Sequence, residues 1–433
     1  MVVTSVPSEI TNQPVVKRLA NGLTIIAEQM PTAAVNLNIW LRVGSRVESD
    51  AINGMAHFLE HMIFKGTPQL QCGEFERLIE ERGAITNAAT SQDYTHYYIT
   101  TAPQDFDKLA PLQVELLLNA KLHDGDFERE RPVILEEIRR SEDNPRRRVF
   151  QHSMTLNFEQ LPYRRTVLGP TSVIEQLSAK QMRDFHRRWY QPQNMTAVVV
   201  GDLPVEQLIA TVEQSFDQAL AKRCQKSVTG PLEGVPVSTP EEPFEAISRV
   251  DYTDGTLQQA RLVMSWRVPG LRQLSETYAL DVVASILGQG RTARMVQDLR
   301  ETRALVNSIS TSNITYGEQG VFYISANLAT EQLETVETEV LAHIQRLHDE
   351  LVSEAELSRV RTQVANRYVF GNETSSDRAS MYGYYHALTG DIENALNYPT
   401  AIRTVDAEMI QSAVRRYLPI TAYGALRLHP EAN

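Results

Sequence analysis

The chain of 433 residues has only two cysteines and no long hydrophobic run. Cys72 and Cys224 do not form a CxxC pair and cannot build a disulfide framework, which favours a reducing compartment. No apolar run approaches the ~18 residues of a membrane-spanning helix, and residues 1–21 lack the cationic start and apolar core of a secretory signal. These absences predict a cytoplasmic protein without a membrane span, with an organelle matrix as the alternative.

Positive charge is also scarce. Lysine and arginine number 42 against 54 aspartates and glutamates, which gives a net charge of −12. Non-specific nucleic-acid binding depends on basic surface, so we expect no nucleic-acid partner. The hydrophobic fraction of 42% and the charged fraction of 22% are those of ordinary globular proteins, which excludes a disordered, collagen-like or coiled-coil chain.

One stretch, 225–243, carries four prolines and two glycines. Proline removes a backbone donor and glycine adds conformational freedom, so the stretch predicts a linker rather than a helix or a central strand. It divides the chain into two predicted domains, 1–224 and 244–433. Each is large enough to bury a core of its own.

The two halves repeat one order of elements: strand, helix, helix. The first half has a strand at Thr95–Thr101 and helical patterns around 110–122 and from about Asp126; the second has a strand at 320–326 and helical patterns at about 331–350 and from about Ser353. Strands are indicated by apolar alternation and helices by a 3.6-residue period. The repeat predicts two homologous α+β domains, each a mixed, mainly antiparallel sheet covered by helices.

The strongest chemical signal is His57-x-x-Glu60-His61, within a helical stretch. On a helix the two histidines are one turn apart on one face, where both imidazoles can bind one zinc ion. Glu60 lies close to that face and can take a proton from an attacking water without being a ligand.

A catalytic zinc site needs a third protein ligand and an open fourth position. A second predicted helix carries Glu130, Glu136 and Glu137, with Pro132 expected near its start. Glu130 and Glu137 are two turns apart on one face, whereas Glu136 points about 100° away from Glu137. One of these glutamates can ligate the metal while another orients a ligand.

Residues 54–67, GMAHFLEHMIFKGT, resemble the pitrilysin and mitochondrial processing peptidase family, a group of inverzincin zinc metallopeptidases. The resemblance implies one Zn²⁺ per chain, with His57, His61 and Glu137 as ligands and Glu60 as the catalytic base. Glu130 would not bind the metal itself but would hold one of its ligands in place.

The same resemblance implies a substrate-binding role for Asn87 and Ala88, on an edge strand that pairs with an extended peptide. It implies a zinc-dependent endopeptidase whose two domains form half of a clam-shell. Peptides or unfolded, presequence-like segments would be cleaved in the closed chamber. The alternative is a non-catalytic homologue that binds peptides or serves as an assembly subunit.

The second half is similar to the first but lacks its ligands. Aligning 279–290 with 55–66 puts Asp281, Ala284 and Ser285 at the positions of His57, Glu60 and His61. The helix corresponding to that of Glu137 carries Arg367. We therefore predict no metal in the second domain.

The sequence departs from the family at one place. Members with one kind of subunit carry an arginine and a tyrosine seven residues apart, which stabilise the oxyanion. Arg300 matches the arginine, but Asn307 stands at the tyrosine position. The resemblance therefore favours a heterodimer with a zinc-less homologous subunit. Its competitor is a homodimer in which Asn307 or another tyrosine, such as Tyr316, does this work.

Overall fold

The computed structural model describes residues 13–223 and 239–431. Most of the predicted linker, with Cys224 just before it, lies outside the described residues. Its last five residues, 239–243, have neither helix nor strand. Below, residues 13–223 are called the first half and residues 239–431 the second half.

The described strands of the first half form a six-stranded sheet. These strands are β1 (Val15–Arg18), β2 (Thr24–Gln29), β3 (Val35–Leu41), β4 (Ile85–Thr90), β5 (Thr95–Thr101) and β6 (Met195–Gly201). Their order is β1-β2-β6-β3-β5-β4, which leaves β4 at one edge. Only β2 and β6 pair in parallel; the other neighbours are antiparallel.

The described strands of the second half form a five-stranded sheet. They are β7 (Ser248–Thr253), β8 (Ala260–Pro269), β9 (Ser308–Ile314), β10 (Gln319–Leu328) and β11 (Gly424–His429). The order is β7-β11-β8-β10-β9, with β9 at one edge. The pair β7–β11 is parallel and the remaining pairs are antiparallel.

The two sheets share one topology. Starting from β2 in the first sheet and from β7 in the second, the first pair of neighbouring strands is parallel. The next three pairs are antiparallel, and the last of them ends at an edge strand. Strand β4 therefore corresponds to β9, and β5 to β10. The prediction of two homologous α+β units with mainly antiparallel sheets is confirmed.

Helices accompany both sheets. Those of the first half are α1 (Met55–Ile63), α2 (Glu74–Glu80), α3 (Phe106–Asn119), α4 (Asp124–Asp143), α5 (Pro145–Asn157), α6 (Thr171–Ile174), α7 (Ala179–Trp189) and α8 (Val205–Ala221). Those of the second half are α9 (Leu274–Gly288), α10 (Leu333–Asp349), α11 (Glu354–Phe370), α12 (Ser375–Thr389), α13 (Glu393–Thr404) and α14 (Ala407–Tyr417). Within the described ranges, none of these helices has the length and apolar character needed to cross a bilayer.

One helix of each half packs on the sheet of the other half. Helix α12 of the second half packs across β3 and β6, where Tyr382 and Tyr385 join Trp40 and Val198 in one buried cluster. Helix α5 of the first half packs on β8 and β11, where Val149 contributes to a second cluster. The sheet faces that α5 and α12 cover are therefore closed only when both halves are present.

One local expectation is wrong. The sequence predicts Pro132 near the start of its helix, but α4 begins at Asp124 and Pro132 lies in its interior. Proline cannot donate to the carbonyl of Glu128. The acidic first turn, with Asp124 and Asp126, and the ion pair between Arg131 and Glu128 stabilise the turns before it.

Candidate metal centre

Helix α1 carries the H-x-x-E-H motif on a short, mostly buried segment. Its apolar residues, including Phe58, Leu59 and Met62, face the first core. The helix starts after Gly54, whose φ is 97°. A Cβ at Gly54 would lie 2.5 Å from the carbonyl oxygen of Leu168, so only glycine fits this close approach.

The structure brings His57, His61 and Glu137 together. Glu137 Oε2, from helix α4, lies 3.5 Å from Nε2 of His57 and 3.5 Å from Nε2 of His61. One ligand atom from each residue lies within 4.8 Å of the others. Two ligands at about 2.0–2.1 Å from a tetrahedral ion are about 3.4 Å apart, so both distances from Glu137 fit a zinc site. Glu137 is 39% exposed, which leaves one side of the set open to solvent.

Glu130 orients one of the histidines. Its Oε1 lies 3.0 Å from Nδ1 of His61, and its Oε2 lies 2.6 Å from Nζ of Lys65. We assign the proton to Nδ1, which donates to the carboxylate and leaves the Nε2 lone pair facing Glu137. Burial raises the pKa of Glu130, but the hydrogen bonds from Lys65 and His61 outweigh it and hold that pKa below its ordinary value.

The side chain of His57 is more buried than that of His61. Burial and the neighbouring ring of His61 lower the pKa of His57 to about 3. A neutral imidazole is the form that binds a metal ion. Its Nδ1 is buried and has no hydrogen-bond partner within the described ranges.

Glu60 lies beside the three residues without joining them. Its Oε2 accepts a hydrogen bond from the hydroxyl of Thr90, at the end of β4. Burial raises the pKa of Glu60, and the charge of Glu137 is close enough to raise it further, while Thr90 and His61 lower it. The structure therefore places Glu60 as the motif predicts, next to the ligand set and held by a neutral donor.

Strand β4 places Asn87 and Ala88 at the edge of the first sheet. Among the described strands, β4 pairs only with β5, so its outer side is unpaired. Exposure alternates along it: Asn87 is exposed, while Ala88 and Thr90 are half-buried on the other face. An unpaired edge beside the centre can add an extended strand.

Arg300, Asn307 and Tyr316 have contacts of their own in the described parts of the chain. Arg300, in a helical segment of the second half, forms an ion pair with Glu301. Asn307 is exposed just before β9, and its backbone N–H bonds to the carbonyl of Asn327. Tyr316 is 9% exposed, with its hydroxyl against the sulfur of Met154. Among the described contacts, none joins these residues to the three ligands.

The corresponding region of the second half is a polar pocket of about 320 Å³. Asp281 and Ser285 of α9 and Arg367 of α11 line it together, as the alignment predicts. Asp281 is bound by the amide of Asn313 and the hydroxyl of Tyr398, both 2.8 Å away. The second half thus retains the arrangement of elements with a different set of side chains.

Sequence reasoning gave no role to Thr90 or Lys65, although both contact site carboxylates. Lys65 lies four residues after His61, and this helical spacing could have pointed to it. Thr90 shares a strand face with Ala88, but only the packing of β4 on α1 brings it to Glu60.

The fold and the site define a two-domain α+β protein with a candidate zinc centre in its first domain. Residues 23–171 match the family model described as "Insulinase (Peptidase family M16)", and residues 176–364 match "Peptidase M16 inactive domain". The chain belongs to peptidase family M16. The resemblance deduced from residues 54–67 is therefore confirmed.

Curated relatives cover almost the whole chain. The zinc protease PqqE of Helicobacter pylori is 26% identical over 95% of this chain and 92% of its own length. An uncharacterized zinc protease of Mycobacterium tuberculosis is 27% identical over 96% of this chain and 93% of its own length.

Solved structures share the fold. A protease from Helicobacter pylori has a TM-score of 0.88 at 24% identity, covering 97% of this chain and 100% of that one. A Pseudomonas fluorescens chain described as a peptidase M16 inactive domain has a TM-score of 0.84 at 16% identity, over 97% and 98%. A chain of complex III2 from Candida albicans has a TM-score of 0.80 at 17% identity, over 96% and 95%. At these identities the likeness concerns the fold alone.

Proposed function

We propose that the chain is a zinc-dependent endopeptidase that cleaves peptides or unfolded, presequence-like segments. One observation carries the proposal: His57, His61 and Glu137 converge, with the Glu137 carboxylate 3.5 Å from both imidazoles, Glu60 beside them and one side open. A structural zinc site is usually closed by four protein ligands, whereas a catalytic site keeps a position free. The names of the relatives, which are zinc proteases, support the same function.

The protein residues divide the work of amide hydrolysis. A zinc ion bound at this site would supply Lewis acidity and lower the pKa of a water molecule at its open position to about 7. Glu60 takes the proton of the attacking water and returns it to the leaving amine. Thr90 holds the carboxylate of Glu60 in place. Glu130 fixes the ring of His61.

The edge strand β4 is the proposed substrate-binding element. An extended peptide adds to the unpaired side of β4, with Asn87 and Ala88 next to it, and is aligned by main-chain hydrogen bonds. Such binding is independent of most side chains, which suits peptides and unfolded segments. In the proposed assembly, this chain and a homologous subunit close a chamber around the substrate.

The proposal is tested with a quenched fluorescent peptide library, with and without a chelator. With its co-purifying homologue present, we expect the chain to show chelator-sensitive cleavage that zinc restores. Glu60→Gln should lower kcat by about 10²-fold or more and retain one zinc per chain, because Glu60 is not a ligand. Glu137→Gln should lose zinc. Its neighbour Glu136, which pairs with Arg139 and Arg140, provides the matched control Glu136→Gln, which should retain both zinc and activity.

The assembly is part of the proposal. The second subunit is a zinc-less homologue that supplies an arginine and a tyrosine to the oxyanion. Three observations support it: Arg300 is engaged by Glu301, Asn307 replaces the tyrosine, and Tyr316 is buried. The purified chain should be nearly silent alone and active once a co-purifying homologue is added. Full activity of the chain alone would favour the homodimer.

A second candidate function is a non-catalytic subunit that binds peptides or supports an assembly. The likeness of the fold to an inactive M16 domain and to a chain of complex III2 keeps this candidate in view. Bound zinc without cleavage, whether alone or with the homologue, would establish it.

A further inference from the structure

The N-terminus of α1 needs partners that its own sequence does not supply. The first turn of any helix presents backbone N–H groups without intrahelical acceptors. A serine, threonine, aspartate or asparagine before the helix usually accepts from them. Here that position is Gly54, which has no side chain, and the carbonyl of Leu168 leaves no space for one.

Glu48 fills this role from six residues earlier in the chain. Its Oε2 accepts from the backbone N–H of Gly54 at 2.8 Å, and its Oε1 accepts from that of Ala56 at 2.7 Å. The side-chain amide of Asn53 donates to Oε2 at 2.9 Å. Glu48 is 4% exposed, so these contacts are shielded from water. A carboxylate at a helix N-terminus is also favoured by the helix dipole.

The loop that carries Glu48 is fixed in turn. The guanidinium of Arg165 donates to the backbone carbonyl of Glu48 at 2.7 Å and pairs with Asp50. The amide of Asn53 also donates to the carbonyl of Thr166 at 2.9 Å. Glu48 is therefore a rigid link between the start of α1 and the segment around residues 165–168.

We propose that Glu48 is the positioning residue of the catalytic helix: its carboxylate anchors the start of α1 and so sets where His57 and Glu60 lie. The inference rests on the proposed peptidase function. Helix α1 has only nine residues, and Ala56, which Glu48 holds, directly precedes His57. A shift of about 1 Å at a reacting group can cost 10²-fold in rate, so an anchor at this point acts on catalysis.

The chemistry of the contacts requires a carboxylate. Glu48 faces three donors: the amide of Asn53 and the N–H groups of Gly54 and Ala56. Glutamine has nearly the same shape, but its NH₂ group would point a donor at a donor and leave at least one buried N–H unpaired. Aspartate keeps the charge but is one methylene shorter.

Protonation of Glu48 should have the same effect as the glutamine. Burial raises the pKa of Glu48 to about 7, against the lowering by its three donors and by Arg165, the charged group that faces it. An O–H on Glu48 also points a donor at a donor. A part of the acidic decline of kcat should therefore disappear in Glu48→Gln.

The kinetic test compares Glu48→Gln and Glu48→Asp with a matched control. Glu241 accepts from the backbone N–H groups of Glu159, Gln160 and Leu161 at 2.8–3.0 Å, which is the same chemistry in the segment after α5. Glu48→Gln should lower kcat about 10–100-fold with KM within about 3-fold, and Glu48→Asp should recover part of the loss. Glu241→Gln should leave kcat within about 2-fold. Equal kcat in Glu48→Gln and Glu241→Gln would overturn the inference.

A second readout does not need peptidase activity. Hydrogen exchange of the full chain should become faster at residues 54–58 in Glu48→Gln and remain slow there in Glu241→Gln. Zinc affinity should fall about 10-fold in the first variant only, because His57 moves. If the wild-type protein cleaves nothing, either alone or with the homologous subunit, the proposed function fails. Hydrogen exchange and zinc affinity then decide the role of Glu48 by themselves. Unchanged exchange and zinc affinity in Glu48→Gln would refute it.

Discussion

The two histidines of the motif are supported differently. Nδ1 of His61 is fixed by Glu130, which is itself held by Lys65. Nδ1 of His57 is buried and has no such partner within the described ranges. A histidine whose second nitrogen donates to a carboxylate is a more basic and better oriented ligand. His61 should therefore contribute more to metal affinity than its symmetrical place in the motif implies.

Glu130→Gln should weaken zinc binding by about 10-fold or more, because the charge that orients His61 is lost. Competition with a chromogenic chelator measures the affinity directly. The control is Glu128→Gln, an exposed glutamate of the same helix that pairs with Arg131. Equal zinc affinity in both variants would assign Glu130 to packing alone.

Thr90→Val should lower kcat about 10-fold with little change in KM. The substitution preserves shape but removes the hydroxyl that holds Glu60. The matched control is Thr86→Val on the same strand, whose hydroxyl donates to the carbonyl of Tyr98 instead. Steady-state kinetics on one fluorogenic peptide compare the two. A loss of the same size in both would point to the strand rather than to Glu60.

At the scale of elements, the centre is assembled from three separate pieces. Helix α1 supplies two proposed ligands and the proposed base, α4 supplies the proposed third ligand and Glu130, and β4 supplies Thr90 and the unpaired edge. The second half keeps the corresponding α9, α11 and β9 around the pocket of Asp281 and Arg367. The difference between the candidate metal centre and this pocket therefore lies in a few side chains and not in the arrangement of elements.

The docking of α12 on the first sheet depends on one glycine. Gly383 lies inside the helix, and a Cβ there would be 2.1 Å from Nε1 of Trp40. Gly383→Ala should destabilise the protein by about 2 kcal/mol or more, against the usual gain of alanine in a helix. Gly125→Ala in α4 is the control, since its Cβ would meet only the end of Arg129 at 3.5 Å. Thermal unfolding of both variants decides: equal melting temperatures would contradict this account.

At the scale of the whole molecule, a buried ionic cluster joins the halves. Asp93 of the first half accepts from the backbone N–H of Gly317 at 2.9 Å and from the hydroxyl of Tyr163 at 3.1 Å. Arg46 pairs with Asp93 and with Glu318 of the second half. Helices α5 and α12 each pack on the sheet of the other half. Together with them, this cluster should make the two halves unfold as one unit.

Asp93→Asn should lower the free energy of unfolding by about 3 kcal/mol, because it removes one of the two buried carboxylates that pair with Arg46. Denaturant unfolding followed by tryptophan fluorescence and by circular dichroism should coincide in the wild type and separate in the variant. Asp50→Asn is the control: its carboxylate is exposed beside Arg164 and Arg165, and exposed ion pairs contribute about 0–1 kcal/mol. Coincident transitions in Asp93→Asn would show that other contacts couple the halves.

The local parts of this protein follow from the order of its residues. The period of apolar residues predicted the main helices and strands, and the spacing of His57, Glu60 and His61 placed three functional groups on one helix face. The third ligand did not follow from spacing alone, because Glu130, Glu136 and Glu137 all remained candidates. The family resemblance selected Glu137.

The tertiary structure decided what brings distant segments together. It set the spacing of Glu137 against both histidines, the contact of Thr90 with Glu60, the anchoring of α1 by Glu48, and the exchange of α5 and α12 between the halves. Periodicity reports which face of an element is buried, but not which element covers it. Those contacts arise from packing two sheets and their helices at once, and no single stretch of sequence contains that information.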